Sequence, residues 1–223
     1  MNLYTALTLR YLKENKKRTI VTIIGIILST ALICGIGNIY NSFMDYQVRE
    51  TVQRNGDFHA TFYDVQNKDI GKITKSAGIS KYGYSDNLGF GRYNDEKFLL
   101  QIKSYDKESF DGYQIYLKEG KLPTNNKEIV VSEDSNLLKE KKIGDIITIS
   151  VGKRVTKDGD TLTGSWMDED EKLIDTHKEE YKIVGIISNP GFEDGRKITT
   201  AISYLDINKM GSKDDVNVSI TTN

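Results

Sequence analysis

The sequence predicts an α+β protein in which helices come first and a strand-rich domain follows. Three observations carry this. Residues 20–36 form an apolar run without a charge, extending to about residue 43. A helical pattern continues beyond it as far as Asn55-Gly56. From there the apolar residues fall in short or alternating runs bounded by turn residues, which is the signature of strands.

Residues 1–18 read as a cytoplasmic interfacial amphipathic helix. Leu3, Leu7 and Tyr11, with Tyr4 and Leu12 beside them, fall at helical spacing, while Arg10, Lys13, Lys16 and Lys17 crowd the other side. A plain basic tail is the alternative. Residues 19–43 read as a transmembrane helix, since the seventeen uncharged residues from 20 to 36 approach the roughly 30 Å hydrocarbon thickness. Lys16, Lys17 and Arg18 directly before the span orient it with the N-terminus in the cytoplasm and everything from about Asp45 outside.

Two processing alternatives accompany the anchor. Residues 20–33 could serve as a signal-peptide core, but the segment ahead is long and no A-x-A-like site follows. Cys34 after Ala31-Leu32-Ile33 resembles a lipoprotein acylation site, with Ile33 where a small residue is expected. Cys34 is the sole cysteine, so no intrachain disulfide forms.

Residues 44–55 continue as a stalk helix. Phe43, Val48 and Val52 keep the pattern, no Pro or Gly interrupts it, and Asn55-Gly56 terminates it. From residue 19 to residue 54 such a helix is about 54 Å long, so about 24 Å of it would project beyond the bilayer as a rod.

Residues 56–223 form the external α+β domain, expected in two lobes. Strands are predicted at 59–65, 97–105, 128–132, 145–151, 181–188, 197–204 and 216–221. Asp111-Gly112, Asp158-Gly159 and Asn189-Pro190-Gly191 mark turns. Helices are expected over 67–77, over 132–140 with Ser132 as its cap, and near Asp206. The first eighteen residues carry +4 and the whole chain −1, leaving −5 outside. That excludes a broad basic surface, and with it nucleic acid as a partner.

Several motifs together resemble the extracytoplasmic core domain of MacB/FtsX-type ABC transporter permeases. They are Glu119-Gly120-Lys121-Leu122-Pro123, Glu128-Ile129-Val130-Val131-Ser132, Gly144-Asp145 leading into a strand, and Val184-Gly185-Ile186-Ile187. Ahead of them, Leu9-Arg10-Tyr11-Leu12 through Lys17-Arg18-Thr19 to Ile24-Gly25-Ile26-Ile27-Leu28-Ser29 looks like the family's lead-in and first membrane helix. The motif positions are structural in kind: Gly120 and Gly144 suit tight reversals, Pro123 an extended approach to the next strand, and Gly185 a bulge or close approach. Lys121 stands where the family has Arg, keeping charge but losing the planar fork, which leaves a local ion pair less secure.

The resemblance implies a permease working as a dimer with a second permease protomer and a separate ABC ATPase subunit in the lipid bilayer. Nucleotide-driven closure would tilt the long helix and move the external domain, exporting or releasing peptide, lipid-linked or amphipathic substrates. It also implies three further spans after the external domain, with the ATPase docking between two of them. This sequence reaches Thr222-Asn223 with one span, so the expectation is a fragment, one piece of a split permease, or a remnant. A single-pass anchored binding or sensor protein is the competing class. An adjacent coding sequence for the missing spans or an ATPase favours the first, an isolated gene the second.

Enzyme chemistry is not expected. No G-x-x-x-x-G-K-S/T loop occurs, so ATP hydrolysis falls to a partner. His59 and His177 stand alone, without metal-ligand spacing, and no G-x-S-x-G elbow is present. No catalytic, cofactor or metal residues are therefore assigned. Asp168 to Glu171, with Asp175, Glu179 and Glu180, lacks calcium-loop spacing and reads as a solvated hairpin tip. Trp166 beside Met167 is a candidate contact for a partner or substrate, against a small local core. Tyr84 and Phe90, in the glycine-laced run with Tyr82 and Tyr93, are candidates for a mobile aromatic loop touching cargo, against an irregular connection pinned by its rings.

Overall fold

A computed structural model describes residues 3–93, 99–163, 170–193 and 198–223. The chain divides into two compact units, Met1–Arg49 and Glu50–Asn223.

The first unit is helical. Helix α1 spans Leu3–Glu14, and α2 starts at Lys16 and runs forty residues to Asn55. Asn15 alone separates them; its carbonyl accepts from the Thr19 N–H at 3.0 Å. Along α2 the hydroxyls of Thr22, Ser29 and Thr30 donate to the carbonyls of Arg18, Gly25 and Ile26, which satisfies each polar group within the helix. No residue of α2 is buried. Ile33 and Ile39 are 70% and 71% exposed, and a continuous apolar surface of this kind marks a binding or membrane surface. Among the described residues, α2 alone is long and apolar enough to cross a membrane.

In the second unit α2 ends at Asn55, and Gly56 takes φ +80°, the left-handed terminator expected there. Ten strands follow: β1 Ala60–Gln66, β2 Ile79–Arg92, β3 Leu99–Tyr105, β4 Leu117–Gly120, β5 Glu128–Ser132, β6 Ile146–Val155, β7 Thr161–Leu162, β8 Lys172–Ile187, β9 Ile198–Tyr204 and β10 Asp215–Thr222. Helices α3 Ile70–Thr74 and α4 Lys107–Gly112 are short. The α+β class holds.

Strand order is β1-β10-β2-β3-β9-β5-β8-β6-β7, with β4 on β8 and β2 also paired to β6. This last pairing closes a ring, so β2, β3, β9, β5, β8 and β6 make a six-stranded barrel. Two of its pairs, β3–β9 and β5–β8, are parallel. Alternation along each strand fills the inside with Leu100, Ile102, Ala201, Ile129, Val131, Tyr181, Ile183, Ile147, Ile149 and Val151. Leu137, on a 3₁₀ turn over Asn136–Lys139, inserts into the same core and stoppers one end.

Outside the barrel, Val130, Val184, Ile187 and Ile202 pack under Phe110 and Ile115. Strands β10 and β1 extend from β2 as a wing whose Val216, Val218 and Ile220 are covered by Ile70 and Leu205. The expected two lobes thus share one hydrogen-bonded sheet.

Several local expectations are corrected. The run 79–92 is a fourteen-residue strand, not a mobile loop or irregular connection. Ser132 ends β5; the cap of the following 3₁₀ turn is Ser135, whose side chain accepts from Leu137 N. The helix expected over 67–77 shrinks to a 3₁₀ turn, Asn67–Asp69, and α3. Asp111-Gly112 closes α4 instead of a free turn, because Asp106 caps that helix by accepting from Ser109 N at 2.9 Å. Near Asp206 the third helix is a 3₁₀ turn, Ile207–Lys209, capped by Asp206.

Candidate binding site at the barrel mouth

The barrel end opposite Leu137 is open. A cleft of about 570 Å³ lies there, lined among others by Asp86, Leu88, Ser104, Lys127, Val151, His177, Glu179, Tyr181, Ser203 and Met210. Every barrel strand or its immediate approach contributes, and barrel mouths are a recurrent place for ligands.

Register builds the floor. Asp86 on β2 stands opposite Ser104 on β3, and Ser104 stands opposite Ser203 on β9. Directly paired residues project to the same face, so one carboxylate and two hydroxyls form a row across three strands, one step beyond Ile102 and Ala201. Ser104 is 2% exposed, and its Oγ has no hydrogen-bond partner among the described residues. Ser203 Oγ donates to the Asn126 carbonyl at 3.0 Å. Burial pushes the Asp86 carboxyl up from its ordinary value; the Asn87 N–H opposes this, and Asp64 and Asp215 reinforce it.

Charge on the walls is partly self-neutralised. Lys127 Nζ pairs with Glu179 at 2.5 Å and Lys209 with Asp206 at 3.2 Å. Asp214 accepts from the Gly211 N–H at 2.6 Å. Burial, with Glu179 adding to it, raises the Tyr181 hydroxyl to about 12. Val151, Leu88, Leu205 and Met210 supply the apolar part of the wall. No group of His, Cys, Asp and Glu among the described residues is arranged to hold a metal ion; His177 stands 3.8 Å from Glu179, and His59 bonds Thr222.

The motif residues lie elsewhere, on the β4–β5 side. Glu128 accepts from the Thr124 N–H and hydroxyl, each at 2.9 Å, and from Lys121 Nζ at 2.9 Å. Its carboxyl is thereby held below the ordinary range, first by the Thr124 N–H and next by Lys121. The ion pair in doubt with lysine therefore forms. Pro123 lies inside this clasp, and Glu119 ends exposed on β4. Gly120 (φ +83°) pairs with Gly185, whose Cβ would lie 2.6 Å from the Lys121 carbonyl and 2.8 Å from that of Glu119. Gly185 also sits where the β5–β8 register shifts, so both the bulge and the close approach occur. Gly144 takes φ +100°, and Asp145 accepts from Lys142 N at 3.1 Å.

The aromatic candidates divide. Phe90 is 3% exposed beneath the Arg154 guanidinium, 4.7 Å from its ring centroid, so it is core and not a surface contact. Tyr84 is half-buried on the wing, its ring 5.7 Å from Tyr82 and its hydroxyl pushed up to about 12 chiefly by burial. Trp166 lies outside the described residues, with Met167, Asp168 and Glu169. Glu171, expected on a solvated tip, is instead buried against Arg154 through two hydrogen bonds, one of 3.1 Å. The residues now aligned at the mouth, Asp86, Ser104 and Ser203, carry no sequence motif; only their register joins them.

No family model and no curated protein matches this chain. Among solved structures the chain is similar to the extracellular domain of the noncanonic ABC-type transporter YknZ from Gram-positive bacteria, at 13% identity and a TM-score of 0.45, over 73% of this chain and 81% of that one. It is also similar to the periplasmic region of MacB from Actinobacillus actinomycetemcomitans, at 14% identity and a TM-score of 0.40, over 73% of this chain and 67% of that one.

Proposed function

We propose that this chain supplies the first membrane helix and the extracytoplasmic domain of an ABC transporter permease of the MacB/FtsX type. The observation that carries the reading is α2: forty residues without a Pro, none of them buried, apolar across the span and polar beyond it. The motifs quoted above add to it. In this reading Lys16, Lys17 and Arg18 hold the N-terminus in the cytoplasm, and the barrel domain stands outside. A separate ABC ATPase hydrolyses ATP, a second permease protomer completes the complex, and movement of α2 displaces the external domain to export or release a peptide, lipid-linked or amphipathic substrate. The chain itself performs no catalysis and holds no cofactor.

The test is purification of the tagged full chain from its native membranes, with partners identified by mass spectrometry. Recovery of an ABC ATPase supports the proposal; a chain stably held in the membrane without one overturns it. The barrel-mouth cleft favours a second reading, a single-pass anchored binding protein, which needs no ATPase.

A further inference from the structure

We propose that the barrel mouth is a binding site for an alkylammonium group, a protonated primary amine on an apolar stem such as a lysine side chain bears. This goes beyond the transport reading and does not rest on it.

The floor row matches the donor geometry of an ammonium. Asp86, Ser104 and Ser203 are consecutive neighbours across β2, β3 and β9, facing the same opening. A primary ammonium has three donors and no acceptor. The Asp86 carboxylate and the two serine oxygens provide three acceptors, one of them ionised. Ser104 supplies the independent sign of a ligand: a hydroxyl almost wholly buried, lining the cleft, with no partner among the described residues. Buried hydroxyls are ordinarily satisfied, and leaving one unmade is costly.

Charge and shape agree with a cation on a stem. The cleft's two lysines, Lys127 and Lys209, are each paired with a carboxylate of the cleft, Glu179 and Asp206. Asp86 and Asp214 remain without a lysine or arginine partner among the described residues, so the lining carries an excess of negative charge. An anion is disfavoured there. Leu88, Val151, Leu205 and Met210 offer an apolar wall along which methylene groups can lie. The volume of about 570 Å³ accommodates such a side chain together with its flanking backbone.

The experiment uses the full chain in nanodiscs with ¹³C-labelled methionine methyls, Met210 serving as the reporter in the wall. Nα-acetyl-lysine N-methylamide is titrated against its Nε-acetylated counterpart, which has the same stem without the charge. Phosphoethanolamine stands for an amine from a lipid headgroup. The expected result is a saturable shift of Met210 with the lysine probe, and no saturation with the acetylated probe or phosphoethanolamine. Asp86→Asn should weaken the lysine probe by about tenfold or more, as loss of a hydrogen bond to a charged group does. Ser104→Val, which replaces the hydroxyl by an apolar β-branched side chain suited to a strand, should weaken it several-fold. Equal binding of the acetylated probe, preference for phosphoethanolamine, or undiminished affinity in both variants overturns the assignment.

Discussion

Gly91 meets Ile149 across the seam where β2 joins β6. A Cβ at Gly91 would lie 2.4 Å from Ile149 Cγ2 and 2.9 Å from Ile102 Cδ1, so the barrel closes only because that side chain is absent. Gly91→Ala should cost about 1–3 kcal/mol, as overpacking of a filled core does, and Gly91→Val more. Urea unfolding of the full chain in detergent checks this; a neutral Gly91→Val would mean that β2 and β6 do not close the ring.

Glu128 ties the β4–β5 connection through Thr124 and Lys121. Its folded-state carboxyl lies below its unfolded value, so its contribution is present above the unfolded value near 4.5 and is lost as pH falls through the folded one. Glu128→Gln should lower stability at pH 7 by about 1–2 kcal/mol and by less in acid. Lys121→Ala, removing an exposed partner, should cost under about 1 kcal/mol. Melting temperatures of both variants at pH 7 and pH 4 decide it.

Burial lowers Lys103 to about 8, with Glu193 opposing the shift, and its Nζ sits 3.7 Å from the centroid of the Phe192 ring. The folded value is below the unfolded 10.5, so the unfolded chain binds more protons between about pH 8 and 10.5, and this group makes stability rise across that window. Above about pH 10 the raised tyrosines Tyr84 and Tyr181 pull the other way, since the folded state then holds protons the unfolded state loses. Lys103→Met should therefore flatten the gain between pH 8 and 9.5, a difference of about 1–2 kcal/mol by chemical unfolding.

Arg154 and Glu171 are buried at 0% and 4% side-chain exposure, with Phe90 below the guanidinium. Removing one charge breaks this buried ion pair, so Glu171→Gln or Arg154→Met alone should cost about 3–5 kcal/mol. The double replacement Arg154→Met with Glu171→Leu should recover much of that loss. A double-mutant cycle with no coupling would contradict the pairing.

Where the chain states its own periodicity, the sequence is a good guide. Residues 20–36 read as helix from their apolar composition, residues 43–55 from the spacing of Phe43, Val48 and Val52, and β5, β9 and β10 from their β-branched runs. The helix end at Asn55-Gly56 needed only the chemistry of glycine. Strand β2 is hidden because Gly83, Gly89 and Gly91 look like breakers; Gly89 sits at the bulge after Asn87, Gly91 at the seam with Ile149, and Gly83 where a Cβ would lie 2.6 Å from Ser109 Oγ. The outer half of β8, Lys172 to Lys178, has polar residues on both faces and shows no alternation. Ser132 precedes a helix-like stretch, but β5 needs it as a strand residue bonded to Asn189 and Glu193. The row Asp86, Ser104 and Ser203 could not be read at all, since residues up to 117 positions apart become neighbours only through register.

Cysteine accessibility locates the barrel domain relative to the membrane. In a Cys34→Ser background, which removes the sole cysteine, Glu140→Cys and Lys13→Cys place single thiols at exposed positions in the second unit and in α1. With a membrane-impermeant maleimide on cells whose cell membrane is intact, Glu140→Cys should label at once and Lys13→Cys only after that membrane is permeabilised. Labelling of Lys13→Cys on intact cells, with Glu140→Cys protected, would contradict an external barrel held by a single α2 span.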